Sequence, residues 1–157
     1  MIKYKNAFAR SDNDFNCFGC SPDNPAGLKM KFFSDKDVFW SEWEPDENHD
    51  GWKSVVHGGI QACLADETAE WYIFTQYGRS AVTYELNLKY IKPLRSNIGI
   101  IRVEVSNITF RKNIAEIDLT IIDSNGRICT TAKGKFLIFS EIDSKEKYNF
   151  PDKDEFI

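Results

Sequence analysis

One stretch of the chain constrains its fold more than any other. Ile60 to Tyr77 contains neither glycine nor proline, follows His57-Gly58-Gly59 and runs into Gly78, where a glycine is the common left-handed stop of an α-helix. Ile60, Ala62, Cys63, Leu64, Ala65, Ala69, Trp71, Ile73 and Phe74 spread apolar character over much of its circumference, the pattern of a helix that is buried. The remainder is patterned for strands and turns, so the fold must enclose one long helix in a β framework.

Leu28 to Phe33 and Val38 to Trp43 read as two strands, separated by the polar Ser34-Asp35-Lys36-Asp37 turn and closed by Pro45. From Ala81 to Tyr90 the alternation is strict. Val82, Tyr84, Leu86, Leu88 and Tyr90 fall on one face and Thr83, Glu85, Asn87 and Lys89 on the other, which predicts a half-buried strand that Pro93 ends. Ile98 to Phe110 and Ile114 to Ile122 continue the β pattern, and Asn125-Gly126 is a hairpin turn into Ile128 to Phe139. Two strands, one helix and a meander of four strands do not alternate as a parallel α/β sheet requires. The expected class is α+β, an antiparallel sheet wrapped around one long central helix. One sheet cannot cover both apolar sides of such a helix, so association of chains is expected.

Residues 11 to 27, rich in Asn, Asp, Pro, Gly and Ser, read as loop, and the charged stretch 141–157 is expected to be a surface tail with little fixed structure. A length of 157 residues fits one core of ordinary size. Hydrophobic residues at 42% and charged residues at 28% exclude general disorder, and 14% aromatics demand a core or pocket that holds many rings. A net charge of −4 argues against nucleic acid or an anionic membrane surface as partner, because neutralising phosphates needs clustered Lys and Arg. No stretch approaches the ~20 apolar residues of a membrane span, and Met1 to Arg10 lacks an apolar signal core, so a cytoplasmic protein is expected. Cys17, Cys20, Cys63 and Cys129 do not resemble a secreted disulfide scaffold, and reduced thiols are expected.

The chemistry concentrates at the start of the predicted helix. Glycines there let a substrate approach the backbone, and first-turn N–H groups have no intrahelical acceptor. Helped by the helix dipole, those donors can stabilise negative charge developing on a carbonyl oxygen. The same glycines would equally serve a plain tight turn. Asp66 tips the balance, because its i−4, i−3 and i+3 neighbours are Ala62, Cys63 and Ala69, a setting in which an ionised carboxylate is costly unless it is paired or used. Glu67, about 100° around the helix, is the rival acid, with a solvent-exposed or salt-bridged role as its alternative. Glu70 stands at i+4 from Asp66, placed to raise its pKa by like-charge repulsion.

The run HGGIQACLADE, with the acid nine residues after the histidine, resembles the PaaI-like branch of hotdog-fold thioesterases. NCFGCSPDNPAGLKM at 16–30 is similar to that family's N-terminal loop and first strand, and VTYELNLKYIKP at 82–93 to the strand after its helix. The resemblance implies a single hotdog domain over 1–140, with 1–27 as its N-terminal loop region and 141–157 as a charged tail. It implies a homodimer or homotetramer, with sheets joined edge to edge and active sites at the interface, that hydrolyses an acyl or aryl thioester to free acid and CoA. Carried over by position, Asp66 is the general base or nucleophile, the Gly58 N–H the oxyanion donor, and Gly59 the residue that keeps the turn open. His57 orients the thioester or shapes the turn, and Thr83 supplies a hydroxyl that holds the water or the acid. The family commonly has an amide side chain seven residues before the histidine. Asp50 stands there instead, a departure that would set a second carboxylate near the substrate.

No metal or cofactor is needed for this chemistry, since a thioester is already activated and each oxyanion donor can supply ~3 kcal/mol. Arg111 and Lys112, with Lys92 or Arg95, are candidate contacts for the CoA phosphates, ordinary surface charge being their alternative. Cys17-Phe18-Gly19-Cys20 lacks a second ligand pair for structural zinc, His49 and His57 being far off in sequence. It also lacks the βαβ setting of a thioredoxin motif, and reads as a loop bordering the substrate tunnel. Two other readings use the same residues: a hotdog protein that binds an acyl thioester or related hydrophobic ligand without turning it over, and a redox or zinc module built on the paired cysteines.

Overall fold

The structure is a computed structural model that describes residues 1–8 and 15–157; residues 9–14, with the first part of the predicted loop 11–27, lie outside the described residues. Strands β1 (Ile2–Lys3), β2 (Lys31–Asp35), β3 (Val38–Trp43), β4 (Asp50–Trp52) and β5 (Val55–Val56) precede helix α1 (Gly58–Tyr77). Strands β6 (Ala81–Tyr90), β7 (Ile101–Arg111), β8 (Ile114–Ile122) and β9 (Ile128–Ile138) follow it, and helix α2 (Glu141–Tyr148) comes last but for a short 3-10 turn at Lys153–Phe156. One sheet of seven strands runs in the order β1-β2-β3-β7-β8-β9-β6, antiparallel throughout, while β4 and β5 form a separate hairpin. Helix α1 packs against β3, β6, β7, β8 and β9, the α+β arrangement expected. Among the described residues no helix is long and apolar enough to cross a membrane.

The predicted four-strand meander is corrected in one respect. Strands β7, β8 and β9 do follow one another, but β6 does not pair with β7: it lies at the far edge, bonded to β9. The connection 91–100 is longer than a hairpin loop and carries Pro93, so it takes the chain back across the sheet to place β7 beside β3. At its edge position β6 is more open than its alternation predicts. Val82 is 45%, Tyr84 70% and Tyr90 53% exposed, and a register shift between Thr83 and Glu85 marks a β-bulge.

Helix α1 is held at both ends and on its inner side. His57 caps its start, Nδ1 accepting from the Gly59 N–H at 2.9 Å, and Gly78 ends it at φ 63°, its N–H donating to Phe74 O at 3.0 Å. Trp71 stacks on Phe32 with ring centroids 4.1 Å apart and planes within 3°. Buried polar side chains fix the helix against the sheet: Ser41 and Thr68 share a hydrogen bond at 2.7 Å, and Thr130 Oγ1 donates to Gln61 Oε1 at 2.5 Å. Such satisfied buried pairs specify rotation and register where apolar contact alone would tolerate sliding.

The stretch 141–157 is not the loose tail its charge suggested. Ser140 caps α2, accepting from the Asp143 N–H at 3.0 Å, and the Ser144 hydroxyl sits 3.0 Å from that of Ser80. Phe150 is 9% exposed and Phe156 fully buried, the latter 5.5 Å from the Trp71 ring. The many charges face water while a few apolar anchors among them enter the core.

Candidate active site

The outward side of α1 carries Gly59, Cys63, Asp66, Glu70 and Tyr77, all exposed or half-buried, whereas Leu64, Ala65, Thr68 and Trp71 are buried. This stripe is the side that the sheet leaves uncovered. Asp66 projects from it toward β6, where Thr83 Oγ1 donates to Asp66 Oδ1 at 2.6 Å. Burial raises the Asp66 pKa, and the Thr83 hydrogen bond partly offsets the rise. Sequence reasoning paired these two residues, and the fold brings them together.

Glu70 acts on this pair differently from expectation. Its own pKa is pushed up to about 9, first by burial and then by the charges of Asp66, Glu67 and Cys17. Burial, reinforced by the Asp66 charge, therefore keeps Glu70 protonated at neutral pH. Glu67 is not solvent-exposed and has no salt bridge among the described residues: it is 8% exposed, and its Oε1 accepts from the Trp71 indole N–H at 3.1 Å. Burial foremost, then the nearby Cys17 charge, lifts its pKa to about 8. Its second oxygen, Oε2, lies 3.3 Å from Cys17 Sγ, a contact with the N-terminal loop that no local pattern on the helix announces.

At the other end of the helix, Gly58 is the first helical residue, so its N–H is a first-turn donor without an intrahelical acceptor. The Tyr90 hydroxyl donates to Gly58 O at 2.9 Å. Sequence reasoning missed this role of Tyr90, for which its place two residues past Leu88 on an alternating strand gave no distinctive signal. Gly58 borders a cleft of about 520 Å³ lined by Trp52, Val55, Val56, Gln61, Tyr90, Ile91, Lys92 and Pro93. Trp52 is 79% exposed there. Because His57 Nδ1 already accepts from Gly59, that ring is committed to the turn.

Asp50 belongs to the β4–β5 hairpin. Its Oδ2 accepts from the Ser54 N–H at 2.8 Å, while Oδ1 is buried without a hydrogen-bond partner among the described residues. It caps its own turn, and it is not among the groups that shift the Asp66 pKa. Arg111 and Lys112 sit at the tip of the β7–β8 hairpin. The Arg111 side chain is 84% exposed, and Lys112 has φ 58° and borders a cleft with Tyr77, Arg79 and Phe110. The sheet register runs Phe110, Ala115, Phe136, Thr83, which sets this cationic tip at the same end of the sheet as Asp66, three strand spacings, or roughly 14 Å, from Thr83.

The fold does not bring the candidate acid and the candidate oxyanion donor together within one chain. Gly58 and Asp66 are eight residues apart on one helix, about 12 Å along its axis. One thioester carbonyl cannot touch both.

A family profile described as "Thioesterase superfamily" matches residues 53–130. A protein of Thermoplasma acidophilum named provisionally as an esterase is 30% identical over 87 residues, covering 54% of this chain and 64% of its own length. One of Saccharolobus solfataricus, likewise named, is 26% identical over 92 residues, covering 58% of this chain and 60% of its own length. The chain thus spans less than two thirds of the length of these curated relatives. Among solved structures, a Bacillus halodurans protein crystallised with CoA is 25% identical at a TM-score of 0.58, covering 64% of this chain and 66% of that one. The E. coli PaaI protein from the phenylacetic acid degradation operon superposes at a TM-score of 0.62 and 17% identity, over 72% of this chain and 81% of PaaI, a likeness of fold.

Proposed function

The chain belongs to the hotdog-fold thioesterase superfamily, and on that footing we propose that it hydrolyses an acyl-CoA or aryl-CoA thioester to the free acid and CoA, in the manner of the PaaI-like branch. The observation that carries this reading is the Asp66 carboxylate, half-buried on the uncovered side of α1 and held by Thr83 at 2.6 Å. A carboxylate so placed is poised to attack a thioester or to take a proton from water. The CoA in the Bacillus halodurans structure supports the choice of carrier.

The 12 Å separation along α1 supports a site composed from two copies. The Gly58 N–H of one copy takes the carbonyl oxygen, aided by the positive end of its helix, and Asp66 of the other delivers the base or nucleophile. Two features favour such pairing: the uncovered stripe of α1, and the open edge of β6 with exposed Val82, Tyr84 and Tyr90. In this arrangement the acyl group enters the cleft of Trp52, Tyr90 and Ile91, His57 and Gly59 hold the turn, and Thr83 orients Asp66. Asp50 supports the hairpin beside the substrate, and Arg111 and Lys112 meet the CoA phosphates as charges at the rim. The cytoplasm is the compartment in which such a substrate would be met.

The test is a hydrolysis screen across short, medium, long and aromatic acyl-CoAs, followed by Asp66→Asn and Glu67→Gln on the best substrate. Asp66→Asn should lower kcat about a hundredfold or more while leaving the fold intact, and Glu67→Gln should cost far less. Full activity in both variants would end the carboxylate mechanism. Binding of an unreactive acyl-CoA analogue with no hydrolysis of any substrate would instead make this a carrier of acyl thioesters.

A further inference from the structure

The Cys17-Phe18-Gly19-Cys20 turn has no role in the hydrolysis proposed above, yet it is built closely against α1. The two thiol sulfurs and a carboxylate oxygen of Glu67 all lie within 4.8 Å of one another, with Cys17 Sγ 3.3 Å from Glu67 Oε2. The turn wraps the first sulfur. The Gly19 N–H donates to Cys17 Sγ at 3.3 Å, and the Ser21 N–H closes on Cys17 O at 3.1 Å. Glycine at 19 is what lets the carboxylate in, since a Cβ there would stand 2.5 Å from Glu67 Oε2.

Each partner is also oriented from behind. The Trp71 indole N–H holds Glu67 Oε1 at 3.1 Å and turns Oε2 toward the sulfurs. Asn6 Nδ2 donates to Cys20 O at 3.0 Å and reaches its Sγ at 3.6 Å. Glu67 and Cys20 are 8% and 5% exposed, Cys17 is half-buried, and among the described residues no Lys, Arg or His pairs with Glu67. Sulfur and carboxylate donors converging in a buried place, with no cation among the described residues to pair them, are the reverse of what packing alone would select.

We propose that Cys17, Cys20 and Glu67 form a binding site for a thiophilic divalent cation of the zinc type, which clamps the N-terminal loop to α1. Tetrahedral zinc with Zn–S near 2.3 Å and Zn–O near 2.0 Å sets sulfurs ~3.8 Å apart and sulfur and oxygen ~3.5 Å apart, so no pair of the trio needs to close by more than about 1.3 Å. Three protein ligands leave a fourth position for water, reached past the half-buried Cys17. Trp71, Asn6 and the Gly19 N–H serve as the outer hydrogen bonds that aim ligands at a metal. A search for a second pair of cysteines or histidines cannot find such a site, because its third ligand is a lone glutamate on the helix. A disulfide is the poorer match to this geometry: it needs an oxidant, and it would leave the Glu67 carboxyl facing an apolar sulfur pair.

The test uses the whole reduced chain, titrated with Zn²⁺ by calorimetry and with Co²⁺ by absorption, in a Cys63→Ser, Cys129→Ser background that retains only the two loop thiols. The expected result is one ion per chain, thiolate-to-cobalt charge-transfer absorption, and a melting temperature raised by zinc. Cys17→Ser or Cys20→Ser should abolish the charge-transfer signature or halve it. Glu67→Gln keeps the acceptor for Trp71 and should fold, yet weaken binding by at least the roughly 10- to 100-fold that loss of a metal's supporting group costs. Failure to bind either ion would overturn the proposal, as would binding that Glu67→Gln leaves unchanged. A reduced chain indifferent to zinc that forms a Cys17–Cys20 disulfide in air would overturn it in favour of a redox pair. None of these readouts depends on thioester hydrolysis, so the two readings fail separately.

Discussion

Gly58→Pro should separate the oxyanion donor from the helix that carries it. Gly58 is the first helical residue, where proline is well tolerated because the N–H has no intrahelical acceptor and the fixed φ near −65° is already helical. His57 before it has φ −55° and ψ 136°, the extended conformation that a following proline favours. The new Cβ would meet the Tyr90 hydroxyl at 3.2 Å, the end of a side chain that can give way. The helix should therefore form with one donor missing, and loss of one oxyanion donor lowers kcat by about 100- to 1,000-fold, ~3–4 kcal/mol. The 12 Å between Gly58 and Asp66 then makes a stronger demand. If each site takes Gly58 from one copy and Asp66 from the other, Gly58→Pro and Asp66→Asn chains should complement when assembled together. Half of randomly formed dimers are mixed, and each mixed dimer holds one intact site of two, so activity per site should return to roughly a quarter of wild type. Either variant alone should stay near 1% or below. The assay is the initial rate on the best acyl-CoA after co-refolding two differently tagged chains, with melts on each variant. Isolated mixed dimers no faster than the separate variants would refute the composite site, and full kcat in Gly58→Pro would remove Gly58 from the mechanism.

Three further outcomes follow from the same geometry. Replacing Arg111 and Lys112 by alanine should raise KM for acyl-CoA with little change in kcat, because remote phosphate contacts contribute uniform binding; an unchanged KM returns them to ordinary surface charge. Phe156→Ala should destabilise the protein by about 3–5 kcal/mol, since the ring is fully buried, whereas a loose C-terminal stretch would leave the denaturant midpoint unmoved. At Asp123, burial pushes the pKa up, but the Arg127 N–H and guanidinium and the Asn125 N–H more than offset it and hold the pKa below the ordinary carboxylate value. A depressed folded pKa gives stability that is present above the unfolded value near ~3.9 and is lost as pH falls through the folded one. Asp123→Ala should cost roughly 1–3 kcal/mol at pH 7, a gap that narrows in acid; an equal loss at pH 3 would contradict the assignment.

What was legible in the sequence was what period and punctuation encode. The apolar circumference of Ile60 to Tyr77 with Gly78 behind it placed the helix, and Asn125-Gly126 placed the β8–β9 hairpin. Strand order was not legible, because alternation states which face a residue takes and not which neighbour it meets; β6 reads as half-buried whether it lies inside the sheet or at its edge. The C-terminal stretch misled for a different reason. Its charge density is real, yet Phe150 and Phe156 bury completely enough to fix it, and composition averages such anchors away. The short β4–β5 hairpin, which makes Asp50 a turn cap, has too few residues to show any period.

The hardest case was the pair of adjacent acids, Asp66 and Glu67. On a helix they point about 100° apart, so one must face the uncovered stripe and the other the flank, and the small neighbours of Asp66, Ala62, Cys63 and Ala69, favour one assignment without fixing it. The decision comes from residues far along the chain. Thr83 on β6 meets Asp66, while Trp71, Gly19 and the paired cysteines enclose Glu67. The smaller acid stays reachable on the stripe, beside a Glu70 whose carboxyl burial holds protonated at neutral pH. The longer one is turned inward to a place where a free charge is unfavourable. In the proposed reading adjacent carboxylates thus take separate tasks, one directed at a substrate between chains and one at the loop that covers the helix. Exchanging them, Asp66→Glu with Glu67→Asp, should therefore damage both. The lengthened acid loses its fit to Thr83, and the shortened one no longer reaches the sulfurs or the Trp71 indole. Retention of hydrolysis together with cobalt binding in that double variant would show that side-chain reach does not divide the roles.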